Sequence, residues 1–258
     1  MKDPVEISNM SWTEYAAIVE RNNPVVLIPV GAIEQHGPHL PLATDCIIPN
    51  TICKEVATRT ANLLAPAITY GYKSLPRCGG GQHFPGTTSL DADTLIQQLK
   101  DLVREFARHG IKKIAFIGGH LENQWFVIEA CDLAFRELKM LGMPTPRLMS
   151  AGYWEFLSNQ TIARVFGSEF PDWPLEHAGI METSIMLHRH PELVHMERLV
   201  DQKPAKLRLY DLWPYDPTSV PASGILNTAK GATAEKGAIF FDEYVGSLSQ
   251  ALGEAFGS

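Results

Sequence analysis

An α/β fold, with a mostly parallel sheet covered by helices on both faces, is what this sequence predicts, on three observations. Residues 25–31 (VVLIPVG) and 112–119 (KKIAFIGG) are short apolar runs that end in glycine, the pattern of strands buried on both faces. Between them, residues 91–110 set Leu95, Leu99, Leu102, Val103 and Phe106 at helical spacing, with acids in the first turn and Gly110 at the stop. Parallel neighbours need a crossover of about a dozen residues or more, and this amphipathic helix supplies one.

In chain order, the strand at 25–31 is followed by a helix over 45–61, in which Cys46 and Cys53, seven apart, share one face as small buried hydrophobes. A weaker strand signal covers 62–68. The crossover helix 91–110, the strand 112–119, a helix over 123–140 and a weaker strand at 147–152 come next. Residues 73–88 (KSLPRCGGGQHFPGTT) and 165–174 (VFGSEFPDWP) are rich in glycine and proline and read as long loops, each either functional or a plain surface excursion. The last element is a helix over 232–256 packed on the sheet. No repeat or linker divides the chain, so residues 1–258 are expected to form a single domain.

Composition excludes several classes of function. A formal net charge of −7, with no basic run longer than Lys112–Lys113, argues against nucleic acid as a partner. No window approaches the roughly 18 apolar residues that span a bilayer, and the first residues lack a signal-peptide pattern, so a cytoplasmic protein without membrane contact is expected. The 4 cysteines form no CxxC pair and read as reduced thiols.

The chemistry-bearing residues follow the two strong strands, at the carboxyl ends where ligands of such folds bind. GAIEQHGPHLPLATD occupies residues 31–45 and GGHLENQ residues 118–124. In extended chain, residues two apart face one side, so Glu34 with His36, and His120 with Glu122, can converge from neighbouring strands. With Asp45 as a bridge, this mixed N/O set suits two divalent ions, zinc or manganese, with a water acidified between them. His39 is either a further ligand or a partner behind the ligands. In WPLEHAGIMETS (173–184), Glu176, His177 and Glu182 surround a helix start, and His177 is either a proton shuttle or an ordinary polar contact. Gly79, Gly80 and Gly81 offer backbone for close approach to a substrate; a phosphate loop is disfavoured because Gln82 and His83 stand where Lys and Ser/Thr would follow. His109, His188, His190 and His195 lie at helix ends or in loops and read as structural.

PVGAIEQHGPHLPLATD, YGYKS, GGGQHFPGTTSLD, GGHLENQ and EHAGIMETS together resemble the creatininase family over most of the chain. The resemblance implies a three-layer α/β fold, a dinuclear zinc or manganese centre, small cyclic amide substrates and a hexameric assembly. By position it makes Glu34, His36, Asp45, His120 and Glu122 the metal ligands, and His177, with Glu122 and Glu176, the catalytic residues. It sets Cys78, Gly119, Leu121, Trp154 and Trp173 against the substrate, Trp154 and Trp173 shielding a flat ring and Trp173 riding on a mobile loop. Opening of creatinine to creatine is the leading expectation. The alternatives are another cyclic amide or ureide or a formamide, and a two-metal phosphoesterase, for which only Lys73 and Arg77 are candidate phosphate contacts. The pattern departs at Leu121, where creatininases carry Tyr, and at Cys78, where they carry Ser. Both changes make the pocket less polar and are expected to lower creatinine turnover.

Overall fold

The computed structural model describes residues 5–78 and 81–257. Helix α1 (Trp12–Asn22) starts at a capping box, in which Ser11 Oγ accepts from the Glu14 amide and Glu14 Oε2 from the Ser11 amide. Strand β1 (Val25–Val30) leads into α2 (Thr44–Thr60), then β2 (Leu63–Leu64), α3 (Ala92–Arg108), β3 (Lys113–Gly118), α4 (Gln124–Met140) and β4 (Arg147–Gly152). The remainder adds α5 (Asn159–Phe166), α6 (Ile180–Arg189) and the long α7 (Ala234–Phe256). The strong sequence-predicted elements are present within a residue or two of their expected bounds. The expected strand at 62–68 is shorter, because Pro66 has no N–H to donate. The chain nevertheless stays beside β1, with the Ala65 and Ile68 amides bonded to the Leu27 and Pro29 carbonyls. Helix α5 begins at the Ser158 cap and takes up the start of the segment read as a loop from residue 165.

The sheet runs β2-β1-β3-β4, with every pairing parallel. Because alternate side chains of a strand point to opposite faces, β1 divides its residues between two cores. Val25 and Leu27 join α2, α6 and α7 on one side; Val26, Ile28 and Val30 join α1, α3 and α4 on the other. Burial on both faces explains why the strand sequences are continuously apolar rather than alternating.

Strand order places the site. From β1 the chain moves outward to β2, then returns past β1 to β3, so the β1/β3 carboxyl ends form the switch point where connections leave in opposite directions. Both ends are drawn tightly onto the first turn of α2. A Cβ on Gly31 would lie 2.5 Å from the Asp45 carbonyl oxygen and one on Gly119 only 2.1 Å away, so neither position has room for a side chain. Pro49, inside α2, lacks the N–H that would otherwise bond that same carbonyl. Asn123 ties the neighbouring loop down: its Nδ2 donates to the Gly31 carbonyl at 2.9 Å and its Oδ1 accepts from the Tyr72 amide at 2.8 Å.

Candidate metal centre and active site

Each of the two buried imidazoles at this switch point is anchored through one nitrogen and directs the other inward. His36 Nδ1 donates to the Glu34 carbonyl at 3.0 Å, leaving Nε2 3.0 Å from Asp45 Oδ1. His120 Nε2 donates to the Tyr72 carbonyl at 3.0 Å, leaving Nδ1 3.0 Å from Glu34 Oε2 and 3.2 Å from Asp45 Oδ2. Anchoring the outer nitrogen fixes tautomer and ring direction, which is how metal-binding histidines are held. Asp45 lies between the rings with one carboxylate oxygen toward each. The Ser74 hydroxyl donates to Glu34 Oε1 and steadies that carboxylate.

Three sets of ligand atoms converge closely among the described residues: Glu34 with Asp45 and His120, His36 with Asp45 and Glu182, and Glu34 with His36 and His177. Asp45 belongs to the first two. Glu182 was not in the predicted ligand set. It sits in the first turn of α6, its Oε2 2.7 Å from the Ala178 amide and 3.8 Å from His36 Nε2. Glu122 stands just outside these sets. His120 is extended, but residues 121–123 close into a 3₁₀ turn instead of continuing the strand, so the expected two-residue pairing is bent. Glu122 Oε1 accepts from the Leu75 amide at 3.3 Å and Oε2 lies 3.5 Å from the outer nitrogen of His120. His39 is wholly buried and bonded through Nε2 to the Thr183 hydroxyl at 2.9 Å, behind the ligands rather than among them.

The donor set fits a pair of divalent cations. His36 Nε2 and Asp45 Oδ2 are buried without a properly aligned hydrogen bond, although donors and acceptors surround them, as atoms that ligate metal ions would be. Burial opposes a charge on His36, yet Asp45, Glu182 and Glu34 outweigh it and push the imidazole up to about 10. Burial raises Glu182 to about 7 against the pull of His36. A cluster this rich in carboxylates demands positive charge, and its mixed N/O composition suits zinc or manganese.

Above the cluster opens a cavity of about 490 Å³, and Cys78, Gly119, Leu121, Glu122, Trp154, Trp173, Glu176 and His177 all line it. Gly79 and Gly80 lie outside the described residues. Burial, then the Glu122 carboxylate to which its S–H donates, holds the Cys78 thiol well above its usual range, so it is a neutral donor. Leu121 stands at the mouth, 44% exposed. Trp154 follows β4 and rests on Gly152, where a Cβ would meet the indole at 2.3 Å. His177 Nε2 lies 2.8 Å from the Gln35 carbonyl and its ring is 4.4 Å from that of His36. Burial and the neighbouring His36 push it down to about 4, leaving a neutral imidazole able to take up a proton and pass it on. Burial raises Glu176 to about 8, against the Met181 amide bonded to its Oε2, while Oε1 has no partner. Glu176 is therefore a neutral carboxylic acid beside the shuttle.

Trp173 is the residue that the resemblance sets on a mobile loop. It is 36% exposed, stacked edge-on against Phe170 at 5.4 Å, and follows Asp172, whose φ of 78° and ψ of 153° is a backbone conformation costly for any residue but glycine. A strained base under an exposed indole at a cavity mouth predicts closure over ligand. Saturating creatinine, the substrate that the resemblance implies, should shift the emission of the natural protein more than that of Trp173→Phe; an equal shift in both would make Trp173 a static wall.

A sequence profile of the creatininase (creatinine amidohydrolase) family matches residues 8–252. The chain is 41% identical to a creatinine amidohydrolase of Pseudomonas putida, over 99% of each chain. Its structure superposes on that of a creatininase described as the Mn form with a TM-score of 0.95 at 41% identity, covering 98% of this chain and 99% of the other. A mutant creatininase of Zn-Zn type matches with a TM-score of 0.95 at 40% identity over 98% of each chain.

Proposed function

The chain belongs to the creatininase family, and from that premise we propose that it is a metal-dependent amidohydrolase opening creatinine to creatine. The observation that carries the reading is Asp45, shared between two imidazole–carboxylate sets at the floor of a cavity lined by Trp154 and Trp173. Two divalent ions, zinc or manganese, supply when bound the Lewis acidity that polarises the amide carbonyl and acidifies water. Glu34, Asp45 and His120 would hold one ion, and His36, Asp45 and Glu182 the other, with Glu122 beside them as a further ligand. The two indoles sandwich the flat ring and exclude water. His177 removes the proton of the attacking water and returns it to the departing nitrogen, a role that a neutral imidazole fills in both directions. Glu176, kept neutral by burial, offers the cavity a hydrogen-bonding edge without another negative charge.

We further propose that residues 1–258 act as one domain, since the final helix α7 completes the core over α2 and α6. Cytoplasmic location and a homohexamer are part of this reading; among the described residues no helix is long and apolar enough to cross a membrane.

The test is turnover of creatinine by protein loaded with zinc or manganese, beside a panel of other cyclic amides, ureides and formamides. Turnover of creatinine in preference to every other panel member is the expected result, and selective turnover of another panel member would overturn it. Leu121 and Cys78 tune that turnover. The double change Leu121→Tyr with Cys78→Ser should raise creatinine kcat/KM by about tenfold or more, since it restores two hydrogen-bonding hydroxyls to the wall. No change would mean that neither side chain sets substrate preference.

A further inference from the structure

The cavity is larger than a single small ring requires. At about 490 Å³ it has the size of a site for a drug-sized ligand. Its inner end is the buried carboxylate and imidazole cluster. Its mouth is different: Leu121, Trp125, Leu207 and Leu209 make an apolar wall, and Arg208 adds a guanidinium. The segment bearing Leu207, Arg208 and Leu209 is held in place from the glycine-rich loop, where Arg77 donates to the Leu209 carbonyl at 3.1 Å and its main-chain amide donates to Asp211 Oδ1 at 3.2 Å.

Arg208 is only lightly engaged. Among the described residues its one hydrogen bond runs from Nη2 to Asp216 Oδ2 at 3.3 Å, and the other oxygen of Asp216 accepts from the Thr218 amide and hydroxyl, at 3.0 and 2.6 Å. A guanidinium carries five N–H donors in a fork that matches a carboxylate. The cavity floor carries the carboxylates of Glu34, Asp45 and Glu122, so among the chain's own groups an anion finds its favourable place at the rim.

We infer that the outer part of the cavity is a second subsite, for a short carboxylate-terminated chain carried on the ring nitrogen of the substrate. The inference rests on the creatinine-opening reading and extends its substrate class to anionic N-substituted relatives. The chain lies along Leu207 and Leu209 and its carboxylate on Arg208. Chemistry at the ring is unchanged: water's oxygen bonds to the carbonyl carbon, the ring C–N bond breaks, and water's proton goes to the departing nitrogen.

The test uses metal-loaded protein of residues 1–258, creatinine itself, and two analogues in which the N-methyl group is replaced by 3-carboxypropyl or by its neutral isostere 3-carbamoylpropyl. The expected result is a kcat/KM about tenfold or more higher for the carboxylate than for the amide, falling to near parity in Arg208→Gln and partly restored in Arg208→Lys. Reading the ratio cancels any general effect of the substitution on catalysis. Equal rates for the two analogues in the natural protein, a preference that survives Arg208→Gln, or turnover of creatinine with neither analogue accepted would each overturn the subsite. Failure to turn over creatinine would instead remove the reading on which it rests.

Discussion

Asp45→Ala is expected to lower turnover by about a thousandfold or more and to take bound metal from about two equivalents per chain to less than one. The reason is geometric. One carboxylate oxygen faces His36 and the other faces His120, so a single side chain belongs to both ligand sets. Of the two sets proposed to hold the ions, removing any other ligand weakens one; removing Asp45 weakens both and leaves Glu34 and Glu182 to repel each other across the gap. Its place in the first turn of α2 adds the favourable end of the helix dipole to the stabilisation of its charge. Elemental analysis and creatinine turnover, measured on the same preparation with the far-UV spectrum as a check on folding, decide the matter. A folded variant that keeps both ions and full activity would remove the shared-ligand centre.

Much of this site is legible in the sequence because its parts are tied to strand ends. An apolar run closing in glycine marks the carboxyl end of a buried strand, and Glu34, His36, His120 and Glu122 follow two such marks within a few residues. Glu182 has no such mark. It comes from α6, brought over the sheet by packing against α2 and α7 rather than by any local pattern. Its burial shows only in the structure, where Met181, Thr183, Ser184, Ile185 and Met186 are all buried and a carboxylate set inside that run needs a buried partner. The bend at Glu122 could not be read by strand periodicity, since the chain leaves extended geometry just after His120. Pro66 likewise cut β2 to two residues, a consequence of proline that the apolar pattern concealed. Helix α1 buries only Ile18 along its length, too thin a stripe for apolar spacing to announce, and its evidence lay in the Ser11–Glu14 capping box instead.

His177→Ala is expected to lower kcat by about a hundredfold or more, the scale of a lost general acid/base, with KM and metal content little changed. His177 is placed by contacts that do not depend on metal. Its Nε2 faces the Gln35 carbonyl, and Gln35 is itself fixed, with Nε2 donating to the Gly224 carbonyl at 2.8 Å and Oε1 accepting from the Gly37 amide at 2.9 Å. The ring therefore leans on the β1 loop while its other edge borders the cavity, close enough to His36 for their rings to touch. Because burial and that neighbour keep it neutral, it begins the cycle as a base and becomes an acid only after taking the proton of water, so its loss should strike the chemical step rather than substrate binding. The competing assignment is specific, since Glu34, His36 and His177 form the third convergent set of ligand atoms. If His177 were a ligand, His177→Ala would lose metal in step with activity, and excess zinc or manganese would restore turnover. If it is the shuttle, added metal restores nothing, whereas imidazole supplied in solution, small enough to enter the truncated space, recovers part of the rate in proportion to its neutral fraction.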